Sequence, residues 1–277
     1  MTKRLKLKRQ CPLFLLIACC WTQTVHRKVI AAFPYDGEKR VLSMRSSVKG
    51  VDCYIVSRSV YTQRGEYRPM PHVPTRIGKI PVHIVDVLDN HHVPVSNPWG
   101  QEVAVRDATL RGLKSCGATD NDVFVVSDAD EVLDSRSIQW LRKNVAHGLC
   151  YACRLEWNLY SRCWGGRLVR QITFASTVRT ANAMGADALR GCKGDLIPIP
   201  FTPCGYHCSW CFGYDAFRAK IRHIHEADGT DYVAYGKQKW TNQRIQHMFN
   251  NGLWLDGSKH GRWRSEEHTS ELQSPMY

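Results

Sequence analysis

Asp128, Ala129, Asp130 and Glu131 stand directly behind the apolar run Val123 to Val126. Two carboxylates separated by one small residue can share a hard divalent cation and its bound waters, and oxygen ligands favour Mg²⁺ or Mn²⁺ over softer metals. A cation held there could grip a diphosphate and neutralise the charge that grows as a phosphate leaves. An acidic surface turn or a helix N-terminus accounts for so short a pattern equally well. What favours the metal is position: in open α/β sheets, ligands bind beyond the carboxyl ends of the strands.

The elements around these acids alternate between strand and helix. VDCYIVSRS from Val51 and IPVHIVDVL from Ile80 have the β-branched, aromatic character of buried strands, as does Val123 to Val126. Between Trp99 and Gly117 the pattern turns helical, with Val103, Leu110 and Leu113 on one side, and SIQWLRKNVA supplies a further helix. Apolar strands joined through helices predict an α/β domain whose mainly parallel sheet is covered by helices on both faces. Neither G-x-G-x-x-G nor G-x-x-x-x-G-K-[ST] is present, which argues against a dinucleotide fingerprint or a P-loop.

The chain has 277 residues, 43% of them hydrophobic and 23% charged, which suits a single folded domain and excludes a disordered, collagenous or multi-span membrane protein. Its net charge of +13 could face nucleic acid, an anionic membrane surface or a phosphorylated small molecule. Five of the cations lie in the first ten residues, ahead of the apolar stretch Cys11 to Trp21. That stretch is shorter than the roughly 20 residues of a comfortable bilayer span. Residues 1–28 therefore read as a basic tail with a secretory signal or a short signal-anchor, either of which sends the remainder into the secretory lumen. Arg264 to Ser274, RSEEHTSELQS, resembles the in-frame translation of a sequencing adapter, so residues 264–277 are set aside and one domain is expected over 29–263.

Beyond the leader stand nine cysteines, an odd number, so at least one has no partner within the chain. Cys150/Cys153 and Cys208/Cys211 are both C-x-x-C, but they lie too far apart for a compact zinc module. Disulfides mixed with buried thiols fit an oxidising lumen better.

The segment WGQEVAVRDATLRGLKSCGATDNDVFVVSDADEV, from Trp99 to Val132, resembles glycosyltransferase family 17, and CGYHCSWCF from Cys204 to Phe212 is similar to a second block of that family, with Tyr206 where the family has tryptophan. Weaker similarity extends the match from about Phe33 to Gly257. The resemblance implies a GT-A-like α/β fold. It also implies inverting, metal-dependent transfer of N-acetylglucosamine from UDP-N-acetylglucosamine to a mannose of protein N-glycans in β-1,4 linkage, in the Golgi or another secretory lumen, by a type II membrane protein.

Carried over residue by residue, the resemblance places Mn²⁺ or Mg²⁺ on Asp128 and Asp130 with His207 as a further ligand, and donor contacts at Arg106 and Glu131. Glu102 and Arg106 lie four apart, so an ordinary surface ion pair competes with a phosphate role for Arg106. The catalytic base is expected at Glu226 or Asp228, with Asp215 behind them, although HIHEADGTDY also reads as a solvated acidic turn. Trp210 and Phe212 suit the core better than a sugar platform. Arg58 stands where family members carry Glu. The partners expected are glycoprotein acceptors, a UDP-sugar and a membrane, with no nucleic acid. The competing readings are a family member that binds glycans without transfer, and a basic nucleic-acid binder with zinc knuckles.

Overall fold

In β1 (Val29–Pro34) successive apolar side chains enter different cores: Val29, Ala31 and Phe33 pack on one face of the sheet, Ile30 and Ala32 on the other. β5 (Val123–Val126) repeats this, with Val123 and Val125 on the first face and Phe124 and Val126 on the second. Burying such a side chain fully contributes ~1.5–3 kcal/mol, so runs with no polar position are stable only between two covered faces. The structure is a computed structural model that describes residues 26–91, 99–160, 164–192, 196–211, 214–223, 238–259 and 262–263. Residues 1–25, Glu226, Asp228, Phe212, Cys163 and 264–277 lie outside the described residues. Among the described residues no helix is long and apolar enough to cross a membrane.

The chain order is β1, α1 (Lys39–Ser46), β2 (Cys53–Ser59), β3 (Arg76–Ile77), β4 (Ile80–Val87), α2 (Gly100–Ala108), β5, β6 (Glu131–Leu133), α3 (Ser135–Asn144), β7 (Cys150–Leu159) and β8 (Trp164–Thr177). After β8 come α4 (Val178–Met184), α5 (Ala186–Arg190), β9 (Leu196–Pro198), β10 (Gly205–Ser209), α6 (Tyr214–His223), α7 (Asn242–Asn251) and β11 (Arg262–Trp263). One sheet runs β3-β4-β2-β1-β5-β8-β7-β10-β6, with β9 beside β7 and β11 beside β8. β4, β2, β1 and β5 are parallel, as the apolar runs predict. The other half is mixed: β8 is antiparallel to β5 and β7, and β10 is parallel to β7 but antiparallel to β6. The long hairpin β7–β8 produces this departure from a mainly parallel sheet, because a direct return of the chain can only be antiparallel.

α1, α3, α6 and α7 cover the first face through Val41, Ile138, Leu141, Phe217, Ile221, Ile245 and Phe249, while α4 and α5 cover the second through Val178, Ala181, Ala186 and Leu189. The expected helix between Trp99 and Gly117 stops early. α2 gives way to a 3₁₀ turn at Thr109–Gly112, and its buried positions are Gly100, Gln101, Val105, Arg106 and Ala108, with Val103 only half-buried. A Cβ on Gly112 would lie 2.6 Å from Ile55 Cγ2, so this turn approaches β2 more closely than any side chain allows. Disulfides join Cys53 to Cys116, Cys153 to Cys204 and Cys208 to Cys211, so neither C-x-x-C supplies a zinc knuckle.

Candidate active site

β1 and β5 are parallel neighbours, and the chain leaves them for opposite sides of the sheet: β1 is followed by β2 on one flank, and β8 lies beyond β5 on the other. The crevice beyond their carboxyl ends is therefore the place where an open α/β sheet accepts a ligand. β1 delivers Tyr35, Asp36 and Glu38 to it, and β5 delivers Ser127, Asp128 and Asp130.

The acidic loop is held from within. The Asp128 amide donates to Glu131 Oε2 at 2.8 Å, and the Glu131 amide donates to the Asp128 carbonyl at 3.1 Å. From α1, the Arg45 guanidinium donates to Ser127 Oγ and to the carbonyls of Asp128, Ala129 and Glu131 at 2.8–3.1 Å. Arg45 is 4% exposed and lies 3.9 Å over the Phe33 ring. Buried carbonyls require donors, and one planar fork provides for three of them.

The two aspartates have different surroundings. Asp128 Oδ1 accepts from Arg106 at 2.9 Å and Oδ2 accepts from Arg190 of α5 at 2.7 Å. Arg190 also holds both Glu131 oxygens, at 2.6 and 2.8 Å. Arg106 bonds Glu102 at 2.5 Å and Asp187 as well, so the i,i+4 pair exists but is no surface pair: Arg106 is 4% exposed. Burial pushes the Asp128 carboxyl up, yet Arg190 and Arg106 outweigh it and hold the group below the ordinary carboxylate range.

Asp130 meets a different set of groups. Lys220 of α6 donates to its Oδ2 at 3.1 Å, His207 Nε2 lies 3.6 Å from its Oδ1, and Lys220 Nζ is 3.9 Å from Glu38. Burial raises the Asp130 carboxyl, but Lys220 and His207 more than offset it and hold the pKa well below normal. For His207, burial disfavours the charged ring, and Asp130 overcomes this to raise its pKa. Glu38, 7% exposed, is raised to about 7 by burial, against a partial lowering by Lys220 and with small further increases from Asp36 and Asp130.

His207 reaches Asp130 through the backbone. β10 pairs antiparallel with β6 in the register Gly205–Leu133, Tyr206–Val132 and His207–Glu131, and the Cys208 amide donates to the Asp130 carbonyl at 2.9 Å. The two sequence blocks thus form one ladder. A Cβ on Gly205 would lie 2.7 Å from Leu133 Cα and closer still to the Val132 carbonyl, so this approach requires glycine.

The structure brings His207 to Asp130 but does not gather Asp128, Asp130 and His207 around one point. Among the described residues, the group of three metal-ligating side chains whose donor atoms lie within 4.8 Å of one another is Cys53, His83 and Cys116, and its sulfurs are bonded to each other. Both Asp128 oxygens face guanidinium groups, which repel a metal cation. Asp130 has the same drawback at one oxygen, where Lys220 lies 3.1 Å from Oδ2, but its Oδ1 faces the His207 imidazole, whose Nδ1 is buried without a hydrogen-bond partner, so it fits a divalent ion better than Asp128.

Asp215 is fully exposed on α6 and pairs with Arg218, while Trp210 is buried against Phe217 and Trp254, as expected of a core residue. Arg58 donates to Asp86 on β4 and to the Pro71 carbonyl, each at 2.7 Å, and so ties two strand ends together. Arg45, Arg190, Lys220 and Glu38 escape the sequence reading. A Lys or Arg at an otherwise apolar, helix-buried position is the signal that could have raised the first three.

A parallel sheet that carries an acidic, cation-clasped loop at its switch point has the layout of an α/β protein that binds an anionic ligand there. The chain belongs to glycosyltransferase family 17, whose model matches residues 13–257. It is 22% identical over 292 aligned positions to the beta-1,4-mannosyl-glycoprotein 4-beta-N-acetylglucosaminyltransferases of Homo sapiens, Rattus norvegicus and Mus musculus, an alignment that covers 91% of this chain and 53% of each relative. The chain thus spans about half the length of the curated relatives it matches. Among solved structures, the glycosyltransferase GlyE of Streptococcus pneumoniae TIGR4 overlaps 86% of this chain and 66% of its own, with a TM-score of 0.33 at 9% identity. A 4-diphosphocytidyl-2C-methyl-D-erythritol synthase overlaps 62% of this chain and 89% of its own, with a TM-score of 0.34 at 17% identity.

Proposed function

We propose that this chain is the catalytic domain of an inverting N-acetylglucosaminyltransferase. It takes the sugar from UDP-N-acetylglucosamine and places it in β-1,4 linkage on a mannose of a protein N-glycan, in the Golgi or another secretory lumen, with membrane attachment through residues 1–28. The observation that carries the reading is the acidic loop at the carboxyl end of β5, clasped by Arg106 and Arg190 and laddered to His207, within a chain of family 17.

Asp130, with His207 beside it, would hold Mn²⁺ or Mg²⁺; when bound, the ion supplies positive charge to the departing diphosphate. Lys220, which donates to Asp130 at 3.1 Å, would supply a further positive charge for the phosphates of the donor. Arg190 and Arg106 hold the Asp128 carboxyl below its ordinary range and would offer planar forks to the phosphates. Glu38, with a pKa near neutrality, holds a proton at the floor of the crevice. The base that takes the proton of the acceptor hydroxyl is proposed at Glu226 or Asp228, which lie outside the described residues.

The test is transfer from a panel of UDP-sugars to a defined N-glycan, after EDTA and again after Mn²⁺ is returned. Transfer specific to UDP-N-acetylglucosamine, abolished by chelation and restored by Mn²⁺, is expected. Asp130→Ala should lose at least about 100-fold in kcat, as an electrophile on the leaving group is worth. Full activity in that variant removes Asp130 from the reaction, and glycan binding without transfer by the wild type points to a family member that recognises glycans only.

A further inference from the structure

We propose a fourth covalent cross-link in this chain, between Cys150 and Cys192, that fastens the segment following α5, and with it Arg190, to the sheet. Cys150 opens β7 and is buried, and Cys192 is half-buried two residues past the end of α5. Both pack into the apolar cluster on the second face of the sheet. The backbone keeps them together: β9 begins four residues after Cys192 and pairs parallel with β7, with Leu196 opposite Cys150. The other six cysteines of the described domain already form three disulfides, so the chain is built for an oxidising compartment. Of the nine body cysteines, four bonds consume eight and leave Cys163 as the odd one.

The cross-link has a purpose in this site. α5 has five residues and no side-chain N-cap, too short to hold itself as a helix in water, yet its last residue is the one that binds Asp128 and both oxygens of Glu131. A bond two residues further on restricts the motion of that guanidinium. The inference does not depend on the sugar chemistry.

The bond forms by thiol–disulfide exchange with a disulfide-bearing oxidant, such as a dithiol oxidase or oxidised glutathione. Cys192, the more exposed thiol, loses its proton and attacks one oxidant sulfur; a mixed disulfide forms and the other oxidant sulfur leaves as a thiol. The Cys150 thiol then loses its proton and attacks Cys192 Sγ, expelling the second oxidant sulfur. Two protein thiols give up two protons and two electrons, and the oxidant's disulfide becomes two thiols. Burial pushes the Cys150 thiol up to about 12, so it acts second and slowly.

Peptide mapping of protein produced through a eukaryotic secretory pathway tests this. The chain is alkylated with iodoacetamide under denaturing, non-reducing conditions and cut with trypsin and chymotrypsin. Cleavage after Tyr151 separates Cys150 from Cys153, and cleavage after Arg190 and Lys193 releases Gly191-Cys192-Lys193. The expected product is that tripeptide joined to the peptide ending at Tyr151, split by dithiothreitol. Cys192 recovered alkylated, or joined to Cys163, overturns the proposal. In the Cys192→Ser variant, denatured protein should gain one alkylatable thiol, at Cys150, with the other three bonds intact; a count that falls by one, as the loss of a free Cys192 thiol requires, overturns it as well.

Discussion

Arg45 shows how much of this site rests on a residue that touches no substrate. It threads the acidic loop, supplies donors to the Ala129 and Glu131 carbonyls, each of which would cost about 1–3 kcal/mol if left buried and unpaired, and adds a second donor to the Asp128 carbonyl. Glu38 is the opposite case, a carboxylate whose charge is costly where it sits. Its pKa rises from 4.5 to about 7 on folding, so the folded chain holds the proton more tightly than the unfolded one. Its contribution to stability is therefore fully present below pH 4.5 and is lost as the pH climbs through 7. Glu38→Gln mimics the protonated form. In EDTA it should match wild type near pH 4.5 and exceed it by up to about 3 kcal/mol at pH 8 in urea unfolding, from 1.36 kcal/mol per pKa unit. Equal stabilities at both pH values would contradict the assignment. Asp128 and Asp130 were legible in sequence because they are adjacent and follow an apolar run. Arg45, Lys220 and Arg190 were not, since they reach the loop across 83, 90 and 62 residues of chain.

Among the elements, β6 and β10 decide whether the site assembles. β6 has three residues and pairs with β10 alone among the described strands, whereas β10, with five residues, is also held by β7. CGYHCSWCF was visible in the sequence as a block, but its contact with the acidic loop was not, because strand pairing across that distance leaves no periodic trace. Gly205 is where the two strands come closest. Gly205→Ala must push β10 off the Val132 carbonyl and carry His207 with it, at about 1–3 kcal/mol of overpacking. Transfer and Mn²⁺ affinity should both fall, and the melting temperature should drop by about 2–12 °C at the 2–4 °C per kcal/mol typical of domains this size. A variant that melts lower yet binds Mn²⁺ normally would separate β10 from the metal. The same distinction explains α2. Its existence was legible, but its buried face turned out to hold Val105 and Arg106 rather than Val103, because Glu102, Asp128 and Asp187 make an inward arginine affordable.

Across the molecule, the parallel half of the sheet was readable from its uninterrupted apolar strands, and the mixed half was not, since Arg154, Glu156 and Asn158 interrupt the sequence of β7 and Arg167, Arg170 and Gln171 that of β8. Disulfides tie the two halves differently. Cys53–Cys116 spans 63 residues of the parallel half and Cys153–Cys204 spans 51 residues of the mixed half, whereas Cys208–Cys211 spans three. In the chain-entropy account, the first two each restrict the unfolded state by about 4 kcal/mol and the last by about 2 kcal/mol. Stability and activity should therefore part company. Cys53→Ala with Cys116→Ala should unfold at lower urea, by about 4 kcal/mol, while its folded fraction keeps most of its transfer, because that bond lies on the face away from Asp130. Cys208→Ala with Cys211→Ala should lose only about half as much stability but more activity, because Cys208 follows His207 directly and its amide holds the Asp130 carbonyl. Urea unfolding and kcat measured on the same two proteins check both halves of the claim. If the loop-closing pair proves the more damaging to kcat, the short ring does not position His207, and the alignment of β10 rests on its ladders with β6 and β7.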